Sequence, residues 1–223
     1  MDQGSMRPDS RAWDLAAGLP LILLCGFGIA GFAIQIHRQW PVAAAISDYA
    51  VMASEACGGL FLAMQLVLTC IRRLPRAKSP GLMPRLLALV GANSSYLVLL
   101  LPKVSLDGGA ATLSAAIIAT GALGSAAVLL WLGRSFAIFP QARMPVTNGP
   151  YRLVRHPLYL CEQVSLFGVS LQYAQPWALL IVILGFALQF PRMRYEEQIL
   201  GLTFPLYRDY ARRTPMILPR IGW

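Results

Sequence analysis

The chain has 223 residues, of which 57% are hydrophobic and only 13% charged, with a mean hydropathy of +0.57. Soluble domains carry about a quarter charged residues, so this composition excludes a chain surrounded by water and places it in a bilayer. The net charge of +9 comes with no basic stripe interleaved with aromatics, which excludes a nucleic-acid partner. The two histidines, and four cysteines (Cys25, Cys57, Cys70, Cys161) with no CxxC or Cys/His spacing, argue against a metal site or a disulfide framework.

About 20 apolar residues cross a hydrocarbon core. The opening Met1–Met6 is assigned no function. Leu15–Ile36 exceeds the roughly 7–15 apolar residues of a signal-peptide core, and no small-residue cleavage site precedes His37-Arg38, so a mature span is expected. Further runs follow at Tyr49–Ile71, Leu86–Pro102 and Ala110–Gly133. Leu158–Phe190 is split near Gln175-Pro176 and is long enough for a helical hairpin. The fold class expected is all-α: a polytopic bundle of about six membrane helices, the last two a hairpin, with a cytoplasmic cofactor-binding cap. Residues 1–133 are expected to be scaffold and residues 134–223 the functional module.

With six spans, all Lys and Arg except Arg38 and Lys103 fall on one side. That bias puts both termini and the polar blocks of the C-terminal half in the cytoplasm, consistent with a bacterial inner membrane. Basic juxtamembrane loops also face anionic lipid headgroups. Gly26-x-Gly28 and Gly121-x-x-Gly124 suit close helix packing. The polar exceptions in the scaffold are Asn93-Ser94-Ser95 and Glu55; the latter is expected near the outer end of its span, exposed at the interface or paired in the bundle.

The chemistry is concentrated in two blocks. In the first, GPYRLVRHPLYLCE, Asn148-Gly149-Pro150 is turn punctuation. Pro157 then starts a helix, since proline suits the first helical position. Arg152, Arg155 and His156 flank that helix N-terminus, a natural anion site. Tyr159 and Glu162/Gln163 follow at near-helical spacing along a face that descends into the membrane. The second block, Arg192-Met193-Arg194-Tyr195-Glu196-Glu197, precedes a basic aromatic tail. Adjacent carboxylates opposite a cationic helix start suit a zwitterionic ligand.

GPYRLVRHPLYL, an apolar hairpin, RYEE and a Tyr-x-x-Tyr tail ending in Pro219 together resemble the isoprenylcysteine carboxyl methyltransferase and phospholipid methyltransferase family, over about 133–219. The resemblance implies a multi-span membrane enzyme that uses S-adenosylmethionine. Arg155, His156, Pro157 and Tyr159 match the family's Arg-His-Pro-x-Tyr element, and Glu196-Glu197 its paired glutamates. Two positions depart from it: Cys161 and Pro205 stand where the family often has glycine.

Read this way, Arg155, His156 and the helix start at Pro157 hold the methionyl carboxylate. Glu196 or Glu197 takes the α-ammonium, and Tyr159 packs on the adenosine or sulfonium. Arg192, Arg194 and Glu197 form the catalytic set, with the arginines facing the acceptor or steadying the carboxylates. The expected acceptor is lipidic, an isoprenylcysteine-like carboxylate or a phospholipid amine, entering from the bilayer. Two alternatives remain at this level. One is a sterol-reductase-like enzyme using NADPH, which shares the Arg-His-Pro-x-Tyr module; the other is a non-enzymatic scaffold or transporter.

Overall fold

A computed structural model of the protein describes residues 11–137 and 139–218. Met1–Met6, Pro219 and the side chain of Asn93 lie outside the described residues. Among the described residues, seven α-helices make up nearly all of the regular structure: α1 (Arg11–Gln39), α2 (Ile46–Ile71), α3 (Met83–Asn93), α4 (Gly108–Leu132), α5 (Pro157–Ser170), α6 (Trp177–Thr203) and α7 (Pro205–Arg213). A 3₁₀ turn, Ser94–Leu100, extends α3. Two short strands, β1 (Ala77–Lys78) and β2 (Gln141–Ala142), pair antiparallel.

Among the described residues, five segments are long and apolar enough to cross a membrane: Arg11–Val42, Ile46–Ile71, Met83–Leu100, Gly108–Ser135 and Trp177–Thr203. The protein is a multi-pass helical membrane bundle. The expected sixth span is different in kind. Helix α5 has 14 residues, about 21 Å at 1.5 Å per residue, against a core of about 30 Å. Even so, the chain crosses the bundle there. Beyond α5, the Ala174 amide donates to the Pro102 carbonyl at 3.0 Å and the Val104 amide to the Gln172 carbonyl at 3.0 Å. The hairpin turn and the Lys103 loop therefore share one end of the bundle. Glu55 sits at this same end and accepts from Gln39 Nε2 at 3.0 Å, so it is paired within the bundle.

Basic loops gather at the opposite end. The Arg73 amide donates to the Arg134 carbonyl at 2.8 Å and the Arg76 amide to the Ala142 carbonyl at 2.8 Å. Beneath them, Asp14 accepts from Arg72 Nε and from Arg143 at 2.8 Å each, with all three side chains at most 3% exposed. This buried cluster ties the start of α1, the end of α2 and the loop after β2 together. Burial pulls the Arg143 pKa down, while its bond to Asp14 pulls the other way.

Packing follows the small residues. A Cβ on Gly121 would lie 2.3 Å from Ser165 N, and one on Gly168 2.9 Å from Ile118 N, so α4 and α5 meet backbone to backbone. Such approach is common where dispersion, rather than water exclusion, holds helices together. Of the glycines expected to pack in α1, Gly28 meets Leu62 of α2 while Gly26 meets nothing within 4 Å. Helices α1, α2, α4 and α5 pack in succession, and α3 with its 3₁₀ extension packs on α6. Ser95 lies against Gly185 there, where an added Cβ would be 2.1 Å from its hydroxyl.

Candidate active site

The turn before α5 is fixed by a position that excludes a side chain. Gly149 has φ +56°, and a Cβ on it would lie 2.1 Å from the Trp131 ring of α4. Trp131 Nε1 donates to Asn148 Oδ1 at 3.0 Å, which locks the turn onto the bundle. Helix α5 then begins at Pro157 as expected. The residues ahead of it are held through their backbone amides: Arg155 N donates to Pro215 O at 2.9 Å and His156 N to Met216 O at 3.1 Å. The segment after α7 thus straps the start of α5.

Helix α6 brings the second block to this point. Glu197 Oε2 pairs with Arg155 at 3.0 Å and its Oε1 with His156 Nε2 at 3.0 Å. One residue earlier, Glu196 Oε1 accepts from the Tyr159 hydroxyl at 2.6 Å and lies 3.5 Å from Arg192 Nε. The Arg192 guanidinium stands over the Tyr159 ring, 4.9 Å from its centroid, a cation–π contact. The His156 and Tyr159 rings lie 5.4 Å apart.

Six of the predicted side chains therefore form one cluster, Arg155, His156, Tyr159, Arg192, Glu196 and Glu197, with Pro157 as the helix start beneath it. The two carboxylates of the Glu196-Glu197 pair are divided between two sets of partners. Arg194 stands apart from the paired cluster. It is exposed and lines an open groove of about 560 Å³ between α6 and α7, shared with Glu197, Gly201, Tyr207 and Arg208.

The tail closes over this end. Tyr207 is buried, and its phenol is pushed well above its ordinary pKa, first by burial and then by Glu197. Tyr210 is pushed up to about 12, chiefly by burial, and donates to the Tyr151 carbonyl at 2.6 Å. Both phenols stay protonated at neutral pH. Pro205 opens α7, a position proline favours, and Arg76 lies over the preceding Phe204 ring at 5.4 Å.

Cys161 has a structural account. It points at α4, where a Cβ on Gly124 would be 3.0 Å from its sulfur. The missing side chain on α4 makes room for the thiol, so Cys161 is directed at the scaffold. Sequence reading passed over Gln189, a buried residue whose Oε1 accepts from Arg192 at 3.3 Å. Its signal was present: a lone amide in an apolar run, three residues before Arg192. The strap at Pro215–Met216 had no comparable signal, because it acts through backbone groups.

Beside the cluster, an apolar groove of about 590 Å³ opens between α5 and α6, lined by Leu160, Phe167, Phe186, Phe190 and Met216 among others. Among the described residues, no three His, Cys, Asp or Glu converge as a metal site.

The chain is 38% identical over 115 residues to the nickel-cobalt-cadmium resistance protein NccN of Alcaligenes xylosoxydans, covering 49% of this chain and 53% of that protein. It is 40% identical over 78 residues to the cobalt-zinc-cadmium resistance protein CzcN of Cupriavidus metallidurans, covering 34% of this chain and 36% of that one. The matched stretches thus span about half and about a third of these relatives. Residues 108–205 match the phospholipid methyltransferase family (PEMT), a stretch that runs from the start of α4 to the start of α7 and holds the whole cluster. This part of the chain is similar to that family of membrane methyltransferases.

Proposed function

We propose that the protein transfers a methyl group from S-adenosylmethionine to a lipidic acceptor, with residues 134–223 as the functional module and the basic end in the cytoplasm. One observation carries the reading. Arg155 and His156 meet Glu197, and Tyr159 and Arg192 meet Glu196, in one cluster at the start of α5. Fixed cations and carboxylates side by side complement the carboxylate and ammonium of a methionyl group. The Arg155 Nε is buried with no hydrogen-bond partner among the described residues, which leaves a donor for a ligand carboxylate. The site therefore fits the cofactor.

When bound, the cofactor supplies an electrophilic methyl on a sulfonium. Arg155 and His156 would hold its carboxylate and Glu197 or Glu196 its ammonium, while Tyr159 offers a ring face. Arg192, steadied by Gln189 and Glu196, would keep the carboxylates in place, and Arg194 would line the outer groove. Methyl transfer is an in-line displacement, so this chain contributes mainly position and exclusion of water. The apolar groove between α5 and α6 would admit the acceptor's hydrocarbon chain. The names of the two relatives raise the question whether methylation serves metal tolerance, which a deletion strain grown on nickel, cobalt, zinc or cadmium addresses.

The experiment is ligand-dependent melting of the purified protein in detergent. S-adenosylmethionine or its demethylated product should raise the melting temperature, because a ligand that binds only the folded state stabilises by mass action. NADPH should not. Stabilisation by NADPH alone would replace this reading with the reductase.

A further inference from the structure

The groove of about 560 Å³ between α6 and α7 carries charge that the proposed cofactor contacts do not use. Arg194 and Arg208 both line it, and both are exposed. Among the described residues the Arg194 side chain makes no hydrogen bond or ion pair. Arg208 is held in place: its Nε donates to the Gly201 carbonyl at 2.9 Å. That carbonyl is one of the last four of α6, which lack partners within the helix. The bond occupies Nε and sets the direction of the guanidinium, leaving both terminal nitrogens free to donate. Tyr207 lines the same groove and is buried, and its hydroxyl makes no hydrogen bond among the described residues. Because the phenol stays protonated at neutral pH, that hydroxyl is a donor.

Nothing in the groove neutralises the two guanidiniums. Glu197 also lines it, but its oxygens are already held by Arg155 and His156 at 3.0 Å each. Asp209, the acid on α7, pairs with Arg212 and does not line the groove. Gln198 adds an uncharged amide. The lining is therefore two cations and a hydroxyl donor, with no uncommitted carboxylate. Guanidinium bonds to phosphate are charge-assisted and can be bidentate. We propose that this groove binds a phosphate-type oxyanion, with Arg208, Arg194 and the Tyr207 hydroxyl as its donors. The site is distinct from the one proposed for the methionyl group, since Arg155 and His156 do not line it. It does not depend on the methyltransferase reading.

The position suits a group at the membrane surface. Helix α6 has 27 residues, about 40 Å at 1.5 Å per residue, against a core of about 30 Å. Its last turns therefore stand at headgroup level. Phe186, Phe190, Arg194, Glu197 and Gly201 recur at helical spacing, so they follow one stripe of α6. That stripe is apolar in the groove shared with α5 and cationic in the groove shared with α7. The phosphate of an anionic lipid and free phosphate both offer the required chemistry, and the experiment separates them.

The test uses the full chain in two arms. In detergent, inorganic phosphate is titrated at an ionic strength held constant with sodium chloride, and binding is read by calorimetry. In vesicles, the melting temperature is compared between phosphatidylcholine alone and phosphatidylcholine with phosphatidylglycerol, since a ligand of the folded state stabilises it. Binding of inorganic phosphate supports the site with free oxyanion as a sufficient ligand; stabilisation by phosphatidylglycerol alone supports it with the headgroup as ligand. Arg208→Gln and Tyr207→Phe should each weaken phosphate binding about 10-fold or more, the range of a lost hydrogen bond to a charged group, and each should remove most of the stabilisation in vesicles. Tyr207→Phe deletes only the hydroxyl, so it reads the site even if Arg208→Gln loosens the end of α6. Arg212→Gln, outside the groove, should behave as the wild type. No response in either arm overturns the proposal. So does an equal loss in Arg212→Gln, which would reduce the effect to surface charge. Displacement of bound phosphate by the demethylated cofactor would also overturn it, by giving the groove to the cofactor.

Discussion

Replacing Asp14 with Asn should destabilise the fold more than any exposed charge change. Asp14 is 2% exposed and accepts from two guanidiniums at 2.8 Å, from Arg72 at 3% and Arg143 at 1% exposure. Asn keeps the shape but removes the anion, leaving two buried cations facing each other. Breaking a buried pair in this way costs about 3–5 kcal/mol. For a chain of this size, each kcal/mol moves the melting temperature by about 2–4 °C, so a fall of about 6–20 °C is expected in detergent. The control is Asp209→Ala, which removes the 3.6 Å pair with Arg212 whose side chains are 60% and 80% exposed; no measurable change is expected there. A melting temperature for Asp14→Asn equal to the parent's would refute the claim that this cluster joins α1, α2 and the loop after β2.

Glu197→Gln should weaken cofactor binding about 10- to 100-fold, read by equilibrium titration, since the loss of a charged hydrogen-bond partner costs about 1.5–3 kcal/mol. Normal expression is expected, and Glu55→Gln at the opposite end should retain wild-type affinity. Gly121→Val should lower the melting temperature by forcing apart α4 and α5, where an added Cβ would lie 2.3 Å from Ser165 N; overpacking of this kind costs about 1–3 kcal/mol. Reporter fusions after Lys103 and after Gln175 should both report the outer side, because the loops that carry them are hydrogen-bonded to each other.

Much of this was legible in the sequence because it depends on local rules. Pro157 after His156 marks a helix start whatever surrounds it, and Asn148-Gly149-Pro150 marks a turn. The joining of the two blocks followed from order alone, since a hairpin returns the chain to the end it left. What escaped depends on tertiary geometry. The length of α5 did not follow from an apolar run that begins at Leu158, because its two ends are set by contacts: the strap at Pro215–Met216 and the turn bonded to Pro102. Asp14 was unremarkable in sequence, since nothing local announces partners 58 and 129 residues away. Cys161 stood out as a departure, and its explanation lay on another helix, at Gly124.

The shortness of α5 has a consequence for chemistry. Cys161 is level with Gly121 and Gly124 of α4, and Gly168 with Ser114 and Ile118. The same antiparallel register puts His156 beside about residues 127–129, a full turn or so short of the end of α4 at Leu132. The charged cluster is therefore set back from the end of the bundle, level with apolar helix on its α4 side. A full-length span would carry its N-terminal charges out to the headgroups, beyond reach of a group still held by its hydrocarbon chain. Setting the helix start inward brings a polar, hydrogen-bonded site beside the groove lined by Leu160, Phe186 and Phe190. For the proposed reaction, that is where a water-soluble methyl donor and a membrane-bound acceptor can come within bonding distance without either leaving its own phase.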